Sequence, residues 1–345
     1  MEFEWSNSLA LLILSSLSVG LVTPVMRKFA IKFSIVDNPS ESHKTHKKPI
    51  PYLGGVGIIF AVVVISYLAS FFSKTPLLNL RTLSYVIFPA VVMGIVGLVD
   101  DIKKLPPFPR FLAQNIAAIF VATILVNTKT IGSPTGFPFL DFLISVLWIV
   151  ALTNSINFFD NIDGGASGSV AISMATLGIL CLQGGQSAIA AFSFVISGST
   201  LGFLLWNKPP ARIYMGDAGA LFLGLLVASL TLRFDPNPLN RWASFSIPFF
   251  LLAIPILDSS VAITTRLALR KSPFQGGKDH LSHRLMKTGM NKRQAVYLLW
   301  LLSAFYCGFA MIISQASFRW EGLISAIAGF IWIFLYIFFF RLPGL

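Results

Sequence analysis

Apolar residues in this chain come in long, nearly unbroken runs of about 20, the length needed to cross a bilayer, and they recur from one end to the other. Eleven such runs are predicted as spans, at 8–27, 53–72, 83–99, 111–127, 139–156, 167–183, 187–206, 218–232, 243–265, 295–315 and 322–340. They are far longer than the alternating segments of a membrane β-barrel. The expected architecture is an all-α, polytopic integral membrane protein, a single bundle of about 11 transmembrane helices over 1–345. Composition agrees: 55% of residues are hydrophobic, 12% are charged, and the mean hydropathy is +0.77. That leaves too little polar surface for a soluble globule. The first run follows Glu2 and Glu4, without a basic leader, so it is expected to be retained as a span.

The net charge of +12 would suit nucleic acid on a soluble basic module, but the chain offers no such module. The charge sorts by connection instead. Twenty of the 26 Lys and Arg residues fall on alternate connections, among them Arg27 to Lys48, Lys103 to Arg110, Lys208 with Arg212, and Arg266 to Arg293. The positive-inside rule then places those connections in the cytoplasm, with the N-terminus outside and the C-terminus inside.

Four polar clusters obey the same sorting, although only Lys and Arg defined it: Asp100-Asp101, Asn154 to Gly164, Asn207 to Asp217, and Lys278 to Arg284. They are expected to meet in one site at the inner face of the membrane. Charge at the end of an apolar span is costly and usually marks function. Asp100 and Asp101 are neighbours, so on a helix they point about 100° apart and can address different targets; a solvated pair beside Lys103 and Lys104 is the plainer alternative. Asn154 and Asn157 lie one helical turn apart, and Asp160 and Asp163 bracket a turn suited to Asn161 and Gly164-Gly165. Turn chemistry accounts for Asn161 and the glycines but not for four polar side chains at a spacing of three. Asp217 falls at the start of the eighth span, where a helix N-terminus attracts phosphate or where Asp simply caps the helix. His280 and His283 lack the further ligands of a zinc site, so contact with phosphate suits them better, against the plainer reading of a solvated basic loop. In the first connection, prolines and paired glycines between Pro49 and Gly55 should fix the approach to the second span.

The donors available are oxygen-rich and free of sulfur, which favours Mg²⁺, or Mn²⁺, over softer metals. Cys181 and Cys307 fall within apolar runs and read as packing. Carboxylates, a hard divalent cation and basic groups together make a diphosphate site. There is no Gly-x-x-x-x-Gly-Lys loop or kinase signature, which argues against nucleotide hydrolysis as an energy source.

In this order the motifs resemble the polyprenyl-phosphate N-acetylhexosamine-1-phosphate transferases, glycosyltransferase family 4. The matching pieces are Pro49 to Gly55, Asp100-Asp101 with Arg110 and Gln114, Asn154 to Gly164, Asn207, Pro210 to Gly219, Pro255 with Asp258, and His280 to Leu285. The resemblance implies a Mg²⁺-dependent enzyme of the bacterial cytoplasmic membrane. Such an enzyme moves a sugar 1-phosphate from a UDP-sugar to undecaprenyl or another polyprenyl phosphate, releases UMP and begins a lipid-linked cell-envelope glycan. It implies that Asp217, with Asp101, holds the metal, and that Asp100, Asp101 and Asp163 form the catalytic set. It also implies that Lys47, Arg110, Asn154, Asn157, Asp160, Asn207, Tyr214, His280 and His283 bind substrate, Tyr214 by stacking on uracil. The implied partners are the two substrates and the bilayer, with a second copy of the chain as an optional one. The pentapeptide-transferring members carry three consecutive histidines where this chain has His280-Leu-Ser-His283, so the resemblance favours the WecA/TagO branch and UDP-GlcNAc over UDP-MurNAc-pentapeptide. Ion or proton transport is the competing class. It calls for polar groups at mid-span or on both halves of the membrane, whereas these gather at one end.

Overall fold

The computed structural model describes residues 5–37, 49–73, 76–236, 241–273 and 277–343. The elements are α1 (Trp5–Lys32), β1 (Val36–Asp37), β2 (Ile50–Pro51), α2 (Gly54–Phe71), α3 (Pro76–Lys103), α4 (Pro107–Asn127), α5 (Pro138–Phe159), α6 (Gly165–Gln183), α7 (Ser187–Asn207), α8 (Gly216–Arg233), α9 (Arg241–Leu251), α10 (Ala253–Ala268), α11 (Leu281–Lys287), α12 (Lys292–Gln315) and α13 (Phe318–Arg341). Among the described residues, ten helices are long and apolar enough to cross a membrane. The protein is an integral membrane helical bundle.

The ninth predicted span, 243–265, is not one helix. It breaks at Leu252 into α9 and α10, inclined at 78° to each other. Pro255 explains the break, because it has no N–H for the Leu251 carbonyl and its ring crowds that carbonyl. The freed oxygen is bonded from outside, by the Ser173 hydroxyl at 2.5 Å, with the Cys307 thiol at 3.8 Å.

Burial grades outward from α8. Of its most apolar stretch 83% is buried, against 17% for α1 and 11% for α13, so α8 is the axis and those two helices face lipid. Hydrocarbon gives little drive for apolar association, so membrane helices gain from close backbone approach at small residues. A Cβ on Gly97 of α3 would lie 2.3 Å from the Asp217 carbonyl oxygen, and one on Gly55 of α2 would lie 2.2 Å from the Gly219 nitrogen. These contacts press α2 and α3 onto the first turn of α8, at the end of the bundle where the polar clusters meet.

Candidate active site

At the end of α3 the two adjacent aspartates do point different ways. Asp100 accepts from the Leu105 N–H at 2.6 Å and from Arg110 Nη1 at 2.6 Å, closing the turn into α4. The same Arg110 nitrogen donates to Asp217 Oδ2 at 2.8 Å, and Asn157 Nδ2 donates to Asp217 Oδ1 at 2.6 Å. Asp217 therefore joins α3, α4, α5 and α8 through side chains alone.

Asp101 faces the start of α8. Its two carboxylate oxygens accept the backbone N–H groups of Asp217 (2.9 Å) and Ala218 (3.1 Å). The capping expected of Asp217 is thus supplied from another helix, and Asp217, already inside the first turn, is released to face the site. Gly216 is required here: its φ is +71°, and a Cβ would lie 2.5 Å from Asp101 Oδ2.

The sharp turn after α5 depends on Gly164, at φ +76°. Asn207 secures it, accepting from the Gly164 N–H and the Ser167 hydroxyl, both at 3.0 Å, while donating to the Ile213 carbonyl at 3.1 Å. Asn207 is buried with its amide occupied on both sides, so it positions two loops and does not reach the cleft. Asp163 accepts from the Ala211 N–H at 3.0 Å and lies 3.7 Å from Lys292 Nζ. Asn154 lies deeper, donating to Gln114 Oε1 at 2.7 Å and to the Val150 carbonyl at 2.8 Å. Asp160 is raised well above the usual carboxylate range by burial and then by the charges of Asp217, Asp101 and Asp163.

The approach to α2 is fixed as its prolines and glycines predict. Tyr214 N–H donates to the Pro51 carbonyl at 2.9 Å, and Gly54 N–H donates to the Tyr214 carbonyl at 3.0 Å. Tyr52 is thereby set beside Tyr214, ring centroids 6.0 Å apart and planes inclined at 48°. Burial raises the Tyr214 phenol, followed by the charges of Asp163, Asp37 and Asp160, so the ring borders the acidic cluster. Lys47 lies outside the described residues.

His280 and His283 part company. His280 Nδ1 is 2.7 Å from Asp258 Oδ2, and its Nε2 is 3.1 Å from Arg266 Nη2. A guanidinium can only donate, so Nε2 is the acceptor and Nδ1–H donates to Asp258. Both ring nitrogens are spent in the interior, and the expected phosphate contact is not available to His280. Asp258 also accepts from the Leu281 N–H at 2.7 Å and from Asn161 Nδ2 at 3.3 Å, while Ser282 Oγ donates to Asn161 Oδ1. Arg266 is held in turn by both oxygens of Asp279, at 2.6 and 2.9 Å. His283 stays at the rim, its pKa pushed down to about 4, chiefly by burial.

Nothing in the sequence sets Lys292, Arg266 or Trp300 apart from other basic or aromatic residues, yet Trp300 Nε1–H donates to the Gly164 carbonyl at 3.0 Å and fastens α12 to the turn. The clusters expected at one site are joined by these contacts, with α12 as an addition. Among the described residues no three His, Cys, Asp or Glu side chains form a ready-made metal cage. The donors gathered are nevertheless all hard oxygens.

A family model described as glycosyl transferase family 4 matches residues 83–235, which contain most of this site. The chain is 33% identical over 315 residues to a probable undecaprenyl-phosphate N-acetylglucosaminyl 1-phosphate transferase of Bacillus subtilis (strain 168), covering 88% of this chain and 84% of that one. It is 33% identical over 306 residues to a decaprenyl-phosphate N-acetylglucosaminephosphotransferase of Mycolicibacterium smegmatis, covering 80% and 74%. A phospho-N-acetylmuramoyl-pentapeptide-transferase of Staphylococcus carnosus is more distant, at 25% over 303 residues, covering 82% of this chain and 91% of that one. With a family model over most of the converging side chains and relatives 33% identical over 80–88% of the chain, the chain belongs to glycosyl transferase family 4, among the polyprenyl-phosphate N-acetylhexosamine-1-phosphate transferases.

Proposed function

We propose that this protein transfers N-acetylglucosamine 1-phosphate from UDP-N-acetylglucosamine to a polyprenyl phosphate, undecaprenyl phosphate in the first instance, and releases UMP. An oxygen of the lipid phosphate attacks the sugar-bearing phosphorus of the donor. The P–O bond to the uridylyl phosphate breaks, and UMP takes the electron pair. The acceptor phosphate is already ionised near neutral pH, so direct attack needs no covalent enzyme intermediate. The observation that carries the reading is the chain Asp100–Arg110–Asp217–Asn157, which puts one cation between two carboxylates at the bundle's end. Such a transfer depends mainly on positioning and charge neutralisation.

The donor set fits Mg²⁺. That ion keeps much of its water and is bound through one or two carboxylates plus substrate phosphates, so a complete protein cage is not required. Asp217 and Asp100 would hold it, and it would neutralise charge on the diphosphate and its leaving group. Asp101, whose oxygens anchor the start of α8, positions Asp217 instead of ligating. Arg110 turns to phosphate, Asn157 orients Asp217, and Tyr214 with Tyr52 offers an aromatic border for the base. Asp160 and Asp163 accept hydroxyl or base donors. The catalytic end faces the cytoplasm, as the distribution of Lys and Arg supports.

Purified protein supplied with undecaprenyl phosphate, Mg²⁺ and a panel of UDP-sugars tests this directly. UMP release is expected with UDP-N-acetylglucosamine, its loss on chelation, its return with Mg²⁺ or Mn²⁺, and a fall of several orders of magnitude in Asp217→Asn. Turnover of UDP-MurNAc-pentapeptide in preference, or full activity in Asp217→Asn, refutes the assignment.

A further inference from the structure

Lys292 begins α12, well beyond Asp163 and Asp217 along the chain, and its ammonium group lies 3.7 Å from Asp163 Oδ1. At that distance the contact is a loose ion pair, not a hydrogen bond, and the lysine side chain is still 30% exposed while the aspartate is 6% exposed.

The backbone beneath it is held firmly. Asn291 and Gln294 form a reciprocal capping box, Arg293 Nε donates to the Pro209 carbonyl at 3.2 Å, and Trp300 ties the next turns to Gly164. One end of α12 is thus clamped to the turn carrying Asp163 and to the loop that leads to Tyr214 and Asp217.

Local stability does not explain a lysine there. The first turn of α12 holds Lys292 and Arg293 and no acidic residue, although the positive end of a helix dipole disfavours cations by about 0.3–1 kcal/mol. Around the same cleft stand Asp160, Asp163, Asp101 and Asp217, with Arg110 already shared between Asp100 and Asp217. Among the described residues, Lys292, rigidly mounted but loosely paired, is a cation able to turn toward a nucleoside diphosphate that enters this acidic place.

Resting on the function proposed above, we infer that Lys292 is a donor-binding residue: its ammonium leaves Asp163 for the phosphates of the nucleoside diphosphate-sugar, and Asp163 is freed to accept a hydrogen bond from the same molecule. No bond is made or broken at Lys292. Its contribution is to donor affinity, the same in ground and transition states.

Steady-state UMP release by full-length Lys292→Met and Lys292→Arg decides the matter, with each substrate varied in turn and UMP as a product inhibitor. Lys292→Met is expected to raise KM for the UDP-sugar and Ki for UMP about tenfold or more, with kcat within about threefold and KM for the lipid phosphate unmoved. Lys292→Arg keeps the charge and should stay within about threefold of wild type. A Lys292→Met enzyme with unchanged donor KM and UMP Ki, whether or not kcat or thermal stability falls, makes the residue a strut for Asp163 and overturns the inference. If the wild-type protein turns over no UDP-sugar at all, the proposed function and this inference fall together.

Discussion

Asp101→Asn and Asp217→Asn are equally small changes at neighbouring points of one cluster, yet the contacts predict a loss of stability for the first alone. Asp101 satisfies two otherwise free N–H groups of α8, at 2.9 and 3.1 Å. An asparagine can accept from only one of them while turning its NH₂ against the other, and leaving a buried donor unsatisfied costs about 1–3 kcal/mol. At about 2.1 cal/mol/K of unfolding entropy per residue, that loss lowers the apparent Tm of a 345-residue chain by about 1.5–4 °C. Asp217 is different: its oxygens accept from Arg110 and Asn157, it is 28% exposed, and it shares Arg110 Nη1 with Asp100. Replacing it removes a carboxylate from beside another and costs little, so its apparent Tm should stay within about 1 °C of wild type. Thermal unfolding in one detergent at one scan rate measures both, since membrane proteins often unfold irreversibly. Equal stability of Asp101→Asn and wild type, or an equal fall in Asp217→Asn, would refute the division into an anchor and a ligand.

Gly55→Ala should be poorly tolerated, because its Cβ would meet Gly219 backbone at 2.2 Å, whereas Gly57→Ala finds its nearest neighbour at 3.6 Å and should be near neutral. An overpacking cost of about 1–3 kcal/mol and reduced UMP release are expected for the first alone. His283 has a folded pKa of about 4 against an ordinary 6.5, so it stays neutral in the fold while the unfolded chain takes up a proton. Its contribution is complete above about pH 6.5 and is lost as pH falls toward about 4. Apparent Tm should therefore drop less between pH 7.5 and 5 in His283→Gln than in wild type; an equal drop in both would contradict it.

Much of this was legible from the chain because lipid imposes simple rules. Spans must be apolar and long, so ten were readable as continuous helices, and the polar residues left at their ends had nowhere to gather but one surface. The adjacency of Asp100 and Asp101 was enough to foresee that they act in different directions. Which direction each takes was not legible, since it depends on α8 arriving from more than a hundred residues away to present N–H groups to Asp101. The same holds for His280: only the bend at Leu252 brings Asp258 and Arg266 to its two nitrogens, turning an expected ligand into a buried brace. Pro255 was visible in the sequence, but whether a proline kinks a span or breaks it depends on whether a neighbour, here Ser173, can take up the freed carbonyl. Lys292 was hidden among basic residues that all satisfied the same rule of membrane charge.

The glycine contacts that seat α8 leave it no slack. A Cβ at Gly55 or Gly97 would strike its backbone, and one at Gly224 on α8 itself would lie 2.7 Å from the Thr153 Cα of α5. Packing this close on three sides seats the first turn of α8 firmly, so in the reaction proposed above Asp217 is the fixed point and side chains such as Arg110 are the ones that exchange partners around it. Under that proposal, changes at the rim can alter donor preference without disturbing the start of α8.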